Sequence, residues 1–600
     1  MDRRFLKPLL ACTMGLIRRS SLLFTMLVGA SVGILVAVVL LGRTVDPVCY
    51  WGFVLLIPLT IANASAYRHI AFRRALRQLR DNWGREQTRD RVFPMIETLY
   101  RLRRPREGED DSSIDDQTWH DLNMDEVYST LDRTLTNPGE CVLYEMLRTP
   151  LLYEGELRRR GQIIQLFQSD QAVREKIQIC LQRLGRWDTN VITSLLWGEP
   201  YPATPLRYLY STLALLAVIS AVVAPLLWAT RGIAVVAVVY LINLAATYRV
   251  RARLAFVVAA LRYQGSMILT ASRIAALDCP ALSHYCDRLK ETSLAVREIS
   301  RRTFLLFPES TLSSDVATLL YAHVDIYFLR TVRIFHSIMA QMNRHRDELK
   351  SLYSTLGELD ALQSVASYRE GLPGYVEPTF LERGVQFQIE DARHPLLRAS
   401  IPNSMTVREG GVTITGSNMA GKTTFLRTLG ANVVLAQTIC TSLASSYTAR
   451  LFRVFSLIND ADSLLEGKSY YLVQAEHLLK MIRSSDRQGR TLCLIDEPLA
   501  GTNSSERSAA SFEIIQYLAR HNATVVLATH DLELAKKLQD HLKSYHFTGQ
   551  VTHRGLEFDF KLREGITPAR NAIDLLRYLG FPETVVERAL KEVSPLTQES

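Results

Sequence analysis

The chain has 600 residues and no CxxC pair; its eight cysteines (Cys12, Cys49, Cys141, Cys180, Cys279, Cys286, Cys440 and Cys493) are scattered. Zinc ribbons and dithiol redox centres are therefore unsupported, and unpaired thiols in a reducing compartment fit better. A chain this long buries a large core without disulfides and is expected to divide into several domains. Acidic residues are in deficit, 61 against 70 Lys and Arg, for a net charge of +9. That balance leaves nucleic acid and anionic lipid as partners to weigh. The more informative absence is of charge from long apolar runs.

Ser21 to Leu41 contains no charged residue and is long enough to cross a bilayer. A second run, Tyr50 to Tyr67, follows the connector "GRTVDPVC", so residues 1–80 read as a membrane hairpin with spans at about 21–41 and 50–67. A second hairpin is expected at 208–248, with arms Tyr208–Thr230 and Gly232–Tyr248 about Arg231. Arg3, Arg4, Lys7, Arg18 and Arg19 precede the first span, and Arg68, Arg73, Arg74, Arg77 and Arg80 follow the second. Arg207 precedes the third, and Arg249, Arg251 and Arg253 follow the fourth; the connectors hold only Arg43 and Arg231. The positive-inside rule then predicts an integral membrane protein with both termini and both large segments cytoplasmic, in the plasma or inner membrane if the source is bacterial. A cleaved signal peptide fits poorly, because the first run is long and another follows at once. Buried core helices remain the alternative for the shorter second and fourth runs. Much of the positive charge is then topological.

The chemistry lies further on. "GSNMAGKT", Gly416 to Thr423, fits GxxxxGK[ST], follows the strand-like "VTIT" and opens a helical pattern. Glycines there let backbone N–H groups close around phosphates, Lys422 reaches the β- and γ-phosphates, and Thr423 coordinates Mg²⁺. Gly416, Ser417, Asn418, Met419, Ala420, Gly421, Lys422, Thr423 and Thr424 are the candidate ATP-binding residues. "TLCLIDEP" is a buried-strand pattern ending in Asp496, a second Mg²⁺ ligand candidate, and Glu497, which would orient or deprotonate the attacking water. "TVVLATHD" ends in His530, a candidate γ-phosphate sensor. Three strand-tip signals in this order predict a Mg²⁺-dependent ATP hydrolase.

The lettering is also specific. "TGSNMAGKTTFLR", "DEPLAGTNSSE" and "ATHDLEL" resemble the phosphate loop and following motifs of the MutS mismatch-repair ATPases, members of the ABC-ATPase superfamily. "RVFSLINDADSLLEGKSYYLVQAEHL" resembles that family's signature loop, and the alignment implies that Ser469 reaches, in trans, the γ-phosphate held by the other subunit of a homodimer. "TLDRTLTNPGECVLYEMLRTPL" (130–151), "LGELDALQSVASY" (356–368), "ARHPLL" (392–397) and "GITPARNAIDLLRYLGFPETVVERA" (565–589) are similar to the core, lever, entry strand and tail of the family. The expected fold is multidomain: N-terminal and central transmembrane helical hairpins, an all-α MutS-like core and lever domain, and a C-terminal α/β P-loop (ABC-type) ATPase domain. Its expected divisions are a charged connector at 81–116, the core and lever at 117–375 interrupted by 208–248, the ATPase at 376–555 and a helical tail at 556–600.

Some letters depart from the family. Pro498, Leu499 and Ala500 replace the usual polar and basic residues, and Gln474 stands where the signature helix usually has Glu. The family's mismatch reader, Phe-x-Glu, has no counterpart before residue 117, and "FLE" at 380–382 is expected in the core. The implied function is a membrane-anchored MutS-like ATPase that moves lever helices. Double-stranded DNA stays open as a partner, through residues such as Arg301, Arg302, Arg344 and Arg346, and mismatch recognition is unsupported. The alternatives are a conventional mismatch-repair or DNA-damage sensor, and an ABC-type membrane ATPase acting on a non-DNA partner.

Overall fold

The computed structural model describes residues 31–593 except 32, 42, 47–50, 52–53, 55, 105–111, 188–189, 201–205, 278, 307–322, 417–419, 459–469, 488, 501–502, 553–554 and 567–575. The chain separates into two units, Met1–Trp83 and Gly84–Ser600. In the first, residues 33–41 are helical and Leu56–Asn82 forms a second helix. Asn63 Nδ2 donates to Ser31 Oγ at 2.8 Å, so the two helical stretches touch at that point. Residues 21–30 of the expected first span lie outside the described residues.

The second unit begins with a helical core. Thr136 caps the helix Asn137–Arg148 by accepting from Gly139 N at 3.1 Å, with Pro138 in its first turn. The helix Arg346–Gly371 buries Leu352, Leu356, Leu359 and Leu362, a helical spacing that presents one apolar face to the core. Its Asp360 is fully buried and accepts from Leu135 N at 2.9 Å, Thr136 N at 2.8 Å and Thr136 Oγ1 at 2.6 Å. This carboxylate ties two of the segments that carry the family resemblance to each other. A Cβ on Gly139 would lie 2.1 Å from Asp360 Oδ2, so glycine is required by close approach.

Within the stretch expected as a charged connector, 81–116, the described residues from Gly84 onward include several packed into this core. Ile96, Leu99 and Tyr100 are buried, Arg91 Nε reaches Asp132 Oδ2 at 3.2 Å beside Arg89, and Ile114 N donates to Arg148 O at 2.8 Å. Arg89 and Arg91 pair with the buried Asp132 while the apolar residues fill space, which a reading of net charge alone overlooks.

Residues Leu206–Ala275 are helical throughout. An unbroken helix would separate Ala217 from Asn243 by about 39 Å. Both instead meet Tyr327, whose hydroxyl donates to Ala217 O at 2.8 Å and whose carbonyl accepts from Asn243 Nδ2 at 2.8 Å. Leu213 and Ala246 likewise pack on one cluster, Tyr210, Leu329 and Val332. These pairs share a midpoint near residue 230, so the helical segment doubles back there. Among the described residues, Gly232–Arg249 is long and apolar enough to cross a membrane, and Tyr208–Val223 is a shorter apolar stretch.

From residue 379 the chain alternates strands and helices. Strands β1 (Thr379–Phe380), β2 (Phe387–Ala392), β3 (Asn403–Val407) and β5 (Ser446–Ala449) form a small sheet ordered β1-β5-β2-β3. Strands β4 (Gly411–Thr415), β6 (Phe452–Leu457), β7 (Arg490–Asp496), β8 (Ala523–Ala528), β9 (Lys543–Thr552) and β10 (Gly555–Glu564) form the larger one, ordered β10-β9-β4-β8-β7-β6. β4, β7 and β8 are parallel neighbours buried along nearly their whole length, hence their continuous apolar lettering. The tail expected to be helical from 556 opens instead with β10, antiparallel to β9; Leu556, Phe558 and Leu562 alternate with charged residues, a strand period. Helix follows later, at Glu583–Val593.

Candidate active site

In an open α/β sheet, the carboxyl ends of parallel strands gather ligand-binding loops. Here β8 pairs with both β4 and β7, Ala528 lying opposite Ile414 on one side and Asp496 on the other. The loop after β4, the Asp496-Glu497 pair and the Thr529-His530 turn therefore meet at one edge.

Gly416 has a φ of 137°, and a Cβ there would meet Phe547 O at 2.6 Å. Gly421 also has positive φ and precedes the helix Lys422–Ile439. Lys422 is nearly fully buried, and its Nζ donates to Gly416 O at 2.7 Å. Burial lowers its pKa, opposed by the charges of Glu497 and Asp496. Thr423 Oγ1 donates to Asp496 Oδ2 at 2.6 Å. Burial raises the Asp496 pKa, the Thr423 hydrogen bond acting against it.

Glu497 occupies the left-handed region with a φ of 48°, an unusual position for a non-glycine residue and one that concentrates at functional sites. Its carboxylate accepts from His530 N at 2.8 Å and Thr529 Oγ1 at 3.2 Å, and its Oε1 lies 2.6 Å from His530 Nδ1. That hydrogen bond raises the His530 pKa. Thus Gly416, Gly421, Lys422, Thr423, Asp496, Glu497 and His530 converge, with Ala420 buried at the loop and Thr424 lining the adjoining cavity. Ser417, Asn418, Met419 and Ser469 lie outside the described residues.

A cavity of about 360 Å³ opens beside Thr423 and Thr424, walled by Phe425, Phe547 and Phe560. Asn403 holds the bulged end of β10 in place: its Nδ2 donates to Phe560 O at 2.9 Å, and its Oδ1 accepts from Leu562 N at 2.8 Å. A buried lysine, a glycine at 416 with no room for a side chain and an aromatic slot together fit a nucleotide. The Thr423 hydroxyl with the Asp496 carboxylate fits Mg²⁺ shared with phosphate oxygens.

The aromatic slot was not legible in the sequence, because Phe560 lies in a stretch read as a helical tail. No motif marked Arg427 or Asp121. Asp121, in the core helix Asp116–Asp121, accepts from Ser456 Oγ at 2.7 Å and Ile458 N at 2.9 Å at the end of β6. Its own carbonyl accepts from Arg427 Nε, on the helix that follows the loop, at 2.8 Å. The core thus grips both the loop helix and the strand leading toward 459–469. Burial pushes the Asp121 carboxyl up to about 6. Arg346, named above for DNA, is engaged elsewhere: its Nε donates to Leu196 O at 2.6 Å and its Nη2 reaches Leu195 O and Gly198 O.

The family model for MutS domain III matches residues 111–366, and that for MutS domain V matches residues 412–597. "DNA mismatch repair protein MutS" of Thermus thermophilus is 25% identical over 506 residues, covering 78% of this chain and 60% of the relative. The proteins so named from Lactococcus lactis subsp. cremoris and Natronomonas pharaonis are each 29% identical, over 271 and 265 residues. Those two alignments cover 43% and 42% of this chain, and 32% and 30% of the relatives. The chain therefore spans 60% or less of the length of these curated relatives. With the domain III match on the helical core and the domain V match on the sheet that carries the glycine loop, Lys422 and Asp496, the chain belongs to the MutS family.

Proposed function

We propose that the chain is a membrane-anchored ATPase of the MutS family that binds and hydrolyses Mg-ATP in a composite homodimer site and moves its core helices in response. The observation that carries the reading is the 2.6 Å contact between Thr423 Oγ1 and Asp496 Oδ2, which aims a hydroxyl and a carboxylate at one point beside Lys422. Lys422 would hold the β- and γ-phosphates, and Thr423 and Asp496 would hold Mg²⁺. That ion neutralises charge on the phosphate oxygens. Glu497 would orient or deprotonate the attacking water, and His530, at present hydrogen-bonded to Glu497, would turn to the γ-phosphate. Ser469 would act on the partner's nucleotide. The Asp121 junction offers the route by which closure at the site reaches the helical core.

Anchoring is supported by the doubled-back arms, where Leu215, Leu226, Ile233 and Leu241 are 59–79% exposed. A second reading, DNA mismatch repair, rests on what the relatives are named for, and the wedge residue that would read a mismatch has no counterpart before residue 117. One experiment tests the central claim: Lys422→Ala should lose ATP binding, while Glu497→Gln should bind ATP and turn over at least about a hundredfold more slowly. Wild-type turnover by Glu497→Gln would refute the carboxylate assignment. Release of the protein from membranes by salt alone would refute the anchor.

A further inference from the structure

The helix Arg330–Arg344 buries Val332, Phe335, Ile338, Met339 and Met342 on one face. Its other face carries Arg330, Arg333 and Arg344, and with Arg302 from the helix Arg297–Leu306 they line a cavity of about 700 Å³. No Asp or Glu is among the described lining residues. Arg302 is steadied by Glu298 Oε1 at 3.0 Å and by Ser337 Oγ, while Arg333 and Arg344 are exposed to solvent. Arginines ranged along a concave space, with Glu298 engaging Arg302, suit an anion that presents several oxygens, as a phosphate does.

The third wall identifies the source of that phosphate. It is formed by Tyr208 and Ser211, at the start of the first apolar arm. Because the chain doubles back near residue 230, the backbone near Arg249 returns to the same level. The cavity thus sits where exposed apolar arms give way to cationic chain, the depth at which lipid headgroups and tyrosine rings gather.

We infer that this recess binds the phosphate headgroup of an anionic phospholipid at the base of the second hairpin. The inference rests on the membrane anchoring proposed above. The test uses the full-length protein reconstituted in phosphatidylcholine nanodiscs and titrated with fluorescent short-chain phosphatidylglycerol. Wild type should bind it saturably, and Arg333→Gln/Arg344→Gln should bind about tenfold more weakly while retaining ATP binding. Both arginines are exposed, so the pair is compatible with folding, and Arg333→Lys/Arg344→Lys should recover most of the affinity. Equal affinity in wild type and the Gln variant would overturn the inference. So would complete displacement by millimolar inorganic phosphate, which would assign the recess to the free ion. Displacement by a short DNA duplex whose own binding falls in the Gln variant would overturn it in favour of nucleic acid. Loss of the wild-type protein from the discs in high salt would instead sink the anchoring, and the lipid assignment with it.

Discussion

Gln474 Oε1 accepts a hydrogen bond from Ala500 N at 3.0 Å, joining the helix Tyr470–Ser485 to the turn that follows Asp496 and Glu497. Both residues are departures from the lettering of the MutS motifs, and the structure places the departures in contact. Gln474 is 2% exposed, so its amide stands in for a carboxylate without bringing a further negative charge near a cluster that already holds two. Truncation to alanine would leave the Ala500 N–H without this acceptor, at about 1–3 kcal/mol. Gln474→Ala should therefore lower ATP turnover while leaving the Kd for ATP within about threefold, since Lys422 and the loop are untouched. Gln474→Glu keeps the acceptor and should retain turnover. Full turnover in Gln474→Ala would show that the contact is incidental.

Much of the site could be read from the amino acids because its parts are local. Gly416 to Thr423, Asp496-Glu497 and His530 each sit at a strand tip announced by an apolar run, and parallel pairing brings the tips together. The fold-back near residue 230 was legible for the same reason, as two apolar stretches about one arginine. The contacts that were not legible are long-range. Asp121 lies more than 330 positions from Ser456, and nothing in "TWHDL" marks it as a partner of that strand. Phe560 was misplaced although Leu556, Phe558, Phe560 and Leu562 alternate with charged residues, because the helical reading of 565–589 was extended back over this strand. The segment 81–116 misled through composition, since Arg89 and Arg91 pair with the buried Asp132 and Ile96, Leu99 and Tyr100 fill the core.

A serine placed to reach a partner's phosphate has no counterpart within its own subunit, so the composite site is testable by complementation. Lys422→Ala subunits lack a phosphate grip, and Ser469→Ala subunits lack the trans hydroxyl. Each homodimer should be nearly inactive. A mixed population should regain turnover, because one of the two sites in each mixed dimer combines an intact loop with an intact serine. Mixtures no more active than the sum of the separate variants would count against a trans arrangement.

The aromatic slot carries a prediction about the base. Phe560 lies over Gly421, where an added Cβ would come 3.2 Å from its ring, and it borders the cavity together with Phe547. A base–aromatic contact is worth about 1–3 kcal/mol, so Phe560→Ala should weaken ATP binding by roughly 10- to 100-fold. Inorganic tripolyphosphate, which has no base, should bind wild type and variant alike. An equal loss for both ligands would mean that Phe560 shapes the loop rather than a base pocket.

The Asp121 junction should show itself in the dependence of stability on pH. Its carboxyl is pushed up to about 6 by burial, against 3.8 for the ordinary group, so the folded chain holds a proton there that the unfolded chain releases. The associated stability is fully present below about pH 4 and is lost as pH rises through about 6. Asp360, also pushed up to about 6 by burial, contributes with the same sign, so the observable is the difference between variant and wild type. Asp121→Asn removes the titration and can still accept from Ser456 Oγ and Ile458 N. It should flatten the decline in denaturant midpoint between pH 4 and 6, and at pH 7.5 be as stable as wild type or more so, by up to about 3 kcal/mol. Asp121→Ala removes the acceptor as well and should be destabilised at every pH by about 1–3 kcal/mol for each lost partner. Because Asp121 O also receives Arg427 Nε, a loosened junction should blunt the ATP-induced change in protease sensitivity of the core. If Asp121→Asn and wild type declined in parallel across that pH window, burial at this junction would not be what sets the proton affinity of Asp121.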